Sequence, residues 1–197
     1  MLAFQVSYDY RCPFANIIHR HVIAALRAGA DFDVTFVPWT MSQEGRADGA
    51  PDVWEDPARD AELLALAVST SIRDQQPEFF LDAHEALFRA RHEGGVRLRT
   101  IDEITSVLEP TGVNLAQVVA DVTSRRPHKV IGASFLEFER YEAFGVPTFV
   151  VDGEAVFVRY MTLPEDGAAS IRLIESLVAM MTNQRSLNEF KHTTLPM

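Results

Sequence analysis

The 197-residue chain has one cysteine, and that cysteine stands at a chemically suggestive place. The surrounding run is Asp9-Tyr10-Arg11-Cys12-Pro13-Phe14-Ala15-Asn16, a loop leading into a helix. Pro13 fits the first helical position, where its missing N–H costs nothing and its φ is already helical. Cys12 therefore sits at a helix start, where unpaired N–H groups and the positive end of the macrodipole favour a thiolate. Arg11 adds a neighbouring cation, and both influences are expected to lower the thiol pKa. Such a thiol could attack a disulfide or another electrophile. The competing reading is a buried, inert cysteine. Three positions on stands Ala15, and the sequence holds no second thiol. A mixed disulfide on Cys12 could be resolved only by a thiol from another molecule.

Pro147 is the second candidate, in Gly145-Val146-Pro147-Thr148 ahead of an apolar run. X-Pro bonds are the only ones for which the cis isomer is cheap, about 0.5–1 kcal/mol. A trans proline opening a strand is the alternative. Tyr10 could donate a hydrogen bond to a substrate, and Asp9 could raise the thiol pKa or orient a donor. Trp39 follows a predicted strand, at the sheet end where ligands tend to bind, or is simply a packing aromatic. His19 lies roughly 10 Å along the helix from Cys12, too far to be its base. His19 and His21 read as surface or partly packed residues. His84, His92 and His128 show no metal-ligand spacing, and no phosphate loop or Ser-His-Asp arrangement is present.

The elements that must position these residues follow from apolar spacing. Leu2 to Tyr8 reads as a buried strand, Phe14 to Ala28 as a helix stopped by Gly29, and Asp31 to Pro38 as a second strand. This is a β-α-β unit with a right-handed crossover. Residues 39–54 are loop-like. Asp56-Pro57 opens a helix to about Arg73, and Pro77 opens another ending at Gly94-Gly95. Thr100 to Glu103 and Asn114 to Gln117 have capping-box spacing. A longer helix spans Pro127 to Phe144. Thr148–Val151 and Glu154–Val158 flank Asp152-Gly153, a pairing suited to a type I′ hairpin. A last helix runs from Thr162 to about Met181, and the polar remainder carries Leu187, Phe190 and Leu195.

Composition narrows the function classes. The 28 acidic residues outweigh 18 basic ones, a net charge of −10, which argues against nucleic-acid or anionic-membrane binding. Half of this excess falls between Glu44 and Glu62, where seven acids face two bases. If that segment borders the site, it should disfavour anionic substrates. The start lacks a secretory signal and no run is long and apolar enough to span a membrane, so a soluble cytoplasmic protein is expected. No metal is expected.

Two motifs and the element order together resemble the DsbA-like family of thioredoxin-fold proteins. The motifs are Tyr8-Asp-Tyr-Arg-Cys-Pro-Phe-Ala-Asn16 and Gly145-Val-Pro-Thr-Phe-Val-Val-Asp-Gly153, and the order covers almost the whole chain. The resemblance implies an α/β, thioredoxin-like fold (β-α-β … β-β-α). A helical domain at about 55–144 would be inserted in a domain of residues 1–182, followed by a tail at 183–197. It also implies a cis Val146-Pro147 bond that turns the Val146 backbone toward Cys12, to pair with an extended peptide or tripeptide-like thiol. The catalytic set would be Cys12, Pro13 and Arg11. Val146, Pro147, Tyr10, Phe14, Ala15 and Trp39 would bind substrate.

Three functions follow. The first is a DsbA-like, thiol-dependent oxidoreductase with one cysteine, CPFA in place of Cys-x-x-Cys. It would act on a small-molecule or peptide thiol or disulfide, with glutathione or mycothiol as co-substrate and no tightly bound cofactor. The second is a glutathione- or mycothiol-dependent isomerase or transferase. The chain is similar to 2-hydroxychromene-2-carboxylate isomerases and kappa-class glutathione transferases, in which a serine at the position of Cys12 activates the bound thiol. The third is a non-catalytic binding protein that keeps the fold. The Phe-rich faces of the helical segment and the C-terminal tail are candidates for a homodimer contact.

Overall fold

The central strand β1 (Leu2–Tyr8) pairs on one side, in parallel, with β2 (Phe32–Pro38), from Leu2 opposite Phe32 to Tyr8 opposite Pro38. On its other side it meets β3 (Thr148–Val151) in antiparallel fashion, and β3 pairs with β4 (Glu154–Phe157). The resulting order is β2-β1-β3-β4. The structure, a computed structural model, describes residues 1–192 and 194. Leu195, at the end of the expected tail, lies outside the described residues.

Helix α1 (Pro13–Arg27) connects β1 to β2 and buries Ile18, Val22 and Ala25 at helical spacing. The hairpin between β3 and β4 turns at Asp152 and Gly153, whose φ values of 50° and 78° are those of a type I′ turn. Between β2 and β3 lie α2 (Met41–Glu44), α3 (Asp60–Gln75), α4 (Pro77–His92), α5 (Ile101–Leu108), α6 (Leu115–Thr123) and α7 (Arg126–Glu139). The last helix, α8 (Gly167–Asn183), packs on α1. Gly167 permits this approach, because a Cβ there would lie 2.4 Å from the Ala28 Cβ.

Three boundaries depart from the sequence expectation. Helix α7 stops at Glu139 rather than Phe144, because Glu142 takes a left-handed φ of 55° and breaks the helical path. Helix α8 starts at Gly167 rather than Thr162, where the Asp166 carboxylate accepts from the Ala169 N–H at 2.6 Å. Asp56-Pro57 opens a 3-10 turn over Pro57–Arg59, and α3 proper begins after it.

The core takes in most of the phenylalanines of the helical block. Phe80, Phe88, Phe135 and Phe138 are all buried, which removes them as a face for a second copy. Among the described residues, no helix is long and apolar enough to cross a membrane.

Candidate active site around Cys12

Cys12 is the N-cap of α1 in extended conformation (φ −85°, ψ 120°), with Pro13 first in the helix. Its N–H donates to the Asp9 carbonyl at 3.0 Å, and its own carbonyl accepts from Asn16 at 3.1 Å. These bonds hold the loop in one shape. The thiol Sγ donates to the Val146 carbonyl at 3.1 Å, across 134 positions of sequence. The Val146–Pro147 bond is cis. The segment after it is anchored to the sheet, since the Thr148 N–H donates to Ser7 Oγ at 2.9 Å and the Val158 N–H to the Pro147 carbonyl at 3.0 Å.

The electrostatics differ from the sequence expectation. Burial pushes the Cys12 thiol up from its ordinary value, since the residue is only 5% exposed. The N–H groups of Ala15 and Phe14 pull it down, Asp9 pushes it up, and Arg159 pulls it down. The helix start thus acts in the expected direction, but desolvation is the larger effect.

Arg11 does not supply the expected cation. Its Nε donates to Asp9 Oδ1 at 3.0 Å and its Nη1 to Ser42 Oγ at 2.7 Å, with Glu62 at the edge of ion-pair range. The guanidinium is therefore committed to a buried carboxylate and turned toward α2 and α3. Asp9 also accepts from the Met41 N–H at 3.1 Å, so the Asp9–Arg11 pair shapes the loop. The cation on the thiol's side is Arg159, an exposed residue just after β4. Its guanidinium lies over the Phe14 ring at 4.9 Å and near the Phe157 ring at 5.7 Å. Phe157 in turn meets Phe144, which is 70% exposed, at 5.1 Å between centroids.

Tyr10 faces inward rather than toward a substrate. Its hydroxyl lies 2.6 Å from His84 Nδ1, His84 Nε2 lies 2.9 Å from His19 Nδ1, and His19 Nε2 lies 3.0 Å from the Ser7 carbonyl. A carbonyl can only accept, so His19 Nε2 carries the proton there. His19 Nδ1 then accepts from His84 Nε2–H, and His84 Nδ1 accepts from the Tyr10 hydroxyl. The network thus assigns every proton for two neutral imidazoles. Burial lowers both, His19 to about 4 and His84 well below its ordinary value. His19 and His21, read from the sequence as surface or partly packed, are both buried, His21 against the Ser170 hydroxyl and the Thr162 carbonyl. His92 completes the attachment, its Nε2–H donating to the Tyr10 carbonyl at 2.8 Å.

Of the expected site residues, the structure brings Cys12, Pro13, Phe14, Val146 and Pro147 together. Ala15, where a second thiol would stand, is fully buried beneath them. Trp39 is 1% exposed and stacked on Phe135 at 5.0 Å, which makes it a core aromatic. Arg11 and Tyr10 turn away from the sulfur. Sequence reasoning missed Ser7, His84, His92 and Arg159. Only Arg159, in the polar step after an apolar strand, had even a weak local signal. Among the described residues, no group of three or more His, Cys, Asp or Glu is placed to hold a metal.

Comparison with known proteins agrees with this geometry. A family model described as the DSBA-like thioredoxin domain matches residues 4–166. No curated protein matches the sequence. Among solved structures, the cytosolic disulfide reductase DsbM from Pseudomonas aeruginosa, solved with GSH, is 15% identical with a TM-score of 0.62. The alignment covers 94% of this chain and 100% of that one. Pseudomonas aeruginosa DsbA is 18% identical with a TM-score of 0.58, over 95% of this chain and 86% of that one. The DsbA oxidoreductase of Xylella fastidiosa is 25% identical with a TM-score of 0.53, over 93% and 86%. These likenesses establish the thioredoxin-type fold with its helical block between β2 and β3.

Proposed function

The chain belongs to the DSBA-like thioredoxin domain family, and from that premise we propose that it is a thiol–disulfide oxidoreductase working through Cys12 alone. One observation carries the reading: the only sulfur of a cysteine in the chain lies at the α1 start, 3.1 Å from the Val146 carbonyl. In the resting protein that carbonyl accepts the S–H, a bond that favours the protonated thiol. A substrate backbone N–H that paired with Val146 would take the carbonyl, free the sulfur and favour thiolate. The thiolate then attacks one sulfur of a disulfide, forming a mixed disulfide on Cys12 and expelling the other sulfur as thiolate. A second small thiol, as its thiolate, attacks the Cys12-bound partner, regenerates the Cys12 thiolate and leaves as a new disulfide. Glutathione or mycothiol fits this last role, and a cytosolic setting agrees with a chain that has no disulfide of its own.

A second reading is favoured by the raised thiol pKa. A protonated Cys12 could donate its S–H to the sulfur of a bound small thiol, as a hydroxyl would, in an isomerase or transferase that does no net redox. The Cys12→Ser variant separates the two. Under the first reading it loses all disulfide exchange and forms no mixed disulfide with oxidised glutathione by mass spectrometry. Retained isomerase or transferase turnover in that variant, with no adduct on the unaltered protein, would overturn the exchange reading.

A further inference from the structure

A small cavity of about 20 Å³ opens between α3, the end of α4 and the loop that carries Cys12. Asp9, Tyr10 and Arg11 form one wall, Glu62 and Leu66 another, and Arg91, Arg97 and Arg99 a third. Its acids already have partners. Asp9 is paired with Arg11, and Arg59, with help from the Ser42 hydroxyl, holds Glu62 at about 2. The arginines of the third wall have none: among the described residues, no carboxylate pairs with the guanidinium of Arg91, Arg97 or Arg99. Ten other arginines do form ion pairs. In a chain of net charge −10, three unpartnered cations on one cavity are a local inversion of sign.

Two features place this wall deliberately. The His92 ring donates to the Tyr10 carbonyl at 2.8 Å, which fixes Arg91, its neighbour, against the loop two residues from Cys12. Leu98 takes a left-handed φ of 58° and is buried, 3% exposed, while Arg97 and Arg99 on either side are exposed. A left-handed backbone is unfavourable for leucine, whose Cβ then crowds the following carbonyl oxygen. Its burial offsets this and turns both flanking guanidiniums outward beside the cavity. On the hairpin side of the thiol, Arg159 is also without a carboxylate partner among the described residues.

We propose that Arg91, Arg97 and Arg99 form an anion subsite that selects carboxylate-bearing disulfides and thiols for exchange at Cys12. The subsite rests on the exchange reading above and names its substrate class. The carboxylates of glutathione suit it, and mycothiol, which has none, does not. Of the acidic segment, only Glu62 lines this cavity among the described residues, and Arg59 is paired with it.

The test is the rate at which Cys12 reacts with three disulfides: dianionic dithiobis(nitrobenzoate), neutral dithiodipyridine and dicationic cystamine. Each rate is divided by that of the neutral thiol N-acetylcysteinamide, which removes intrinsic reactivity. The unaltered protein should favour the dianion over the dication. That ratio should fall about threefold for each arginine removed, and roughly tenfold or more in the Arg91→Ala/Arg97→Ala/Arg99→Ala variant. Salt should erode the preference in the unaltered protein. Arg172→Ala, at an exposed position on α8 with no ion pair among the described residues, should leave the ratio where it was. A ratio unchanged in the triple variant would overturn the subsite, as would an equal fall with Arg172→Ala. If the neutral disulfide also fails to react with Cys12, the exchange reading falls and the subsite with it. Normal labelling by the neutral probe with a flat charge ratio sinks the subsite alone.

Discussion

The two walls of the Cys12 site are built on opposite principles. On the side of the helical block, Tyr10, His84 and His19 are buried, aromatic and fully hydrogen-bonded, each proton assigned by the Ser7 carbonyl at the end of the chain. On the hairpin side, Phe14, Phe157, Phe144 and Arg159 are partly or largely exposed and joined only by ring and cation contacts. A buried polar chain with every partner in place makes a unique packing, whereas a missing partner there costs more than the bond was worth. An open aromatic and cationic surface costs little to alter and is free to meet a ligand. One wall holds the Cys12 loop still, and the other is open to change.

The sharpest way to break the contrast is to truncate the buried wall. His84→Ala removes an imidazole packed among Tyr8, Phe36, Phe80 and Phe88, and it orphans the Tyr10 hydroxyl. The lost volume and the unmet donor together should destabilise the fold by about 4 kcal/mol. Denaturant unfolding monitored by circular dichroism measures it. Phe144→Ala on the open wall should stay within about 0.5 kcal/mol of the unaltered protein. Similar losses at both positions would erase the distinction.

Acid gives the next largest effect, because the buried wall is stable only while its imidazoles are neutral. His19 has a folded pKa of about 4 against 6.5 unfolded. The unfolded chain therefore binds the proton first as pH falls, and the stability His19 confers is fully present above about 6.5. It is lost progressively down to about pH 4, by roughly 3 kcal/mol. His84, lowered by burial and by His19, acts in the same direction. Unfolding midpoints measured at pH 7, 5.5 and 4 should fall more steeply for the unaltered protein than for His19→Gln. Parallel curves would mean that His19 is not buried neutral.

What the sequence revealed and what it hid follow from how far each feature reaches along the chain. The Cys12-Pro13 helix start, the Asp152-Gly153 turn and the Thr100–Glu103 capping box are local patterns, and all form where they were read. The order of the elements was legible for the same reason, since each strand and helix carries its own periodicity. The His84–His19 bond joins residues 65 apart on different helices, and nothing local to either announces it. Arg11 shows the other failure. Adjacency in sequence put a cation beside Cys12, but the guanidinium turned to Asp9, its stronger partner two residues back. Burial of Cys12 is likewise a tertiary fact, and it reversed the expected direction of the thiol pKa.

The smallest effect tests the open wall. Arg159→Ala removes the cation that partly offsets the burial of Cys12, so the thiol pKa should move further up and the thiolate fraction at neutral pH should fall. Arg159 is exposed, so solvent screening keeps the interaction weak, and the alkylation rate at pH 7.5 should drop only about twofold. Stability should not change measurably. Salt supplies the control, because screening should reduce the unaltered protein's rate toward that of the variant and leave the variant's own rate nearly constant. A Phe14→Leu variant removes the ring beneath the guanidinium without removing the charge. If that variant slows alkylation as much as Arg159→Ala does, the ring acts by holding the cation in place near the sulfur. If it has no effect, the charge acts on Cys12 from wherever the side chain settles, and the open wall is electrostatic rather than geometric.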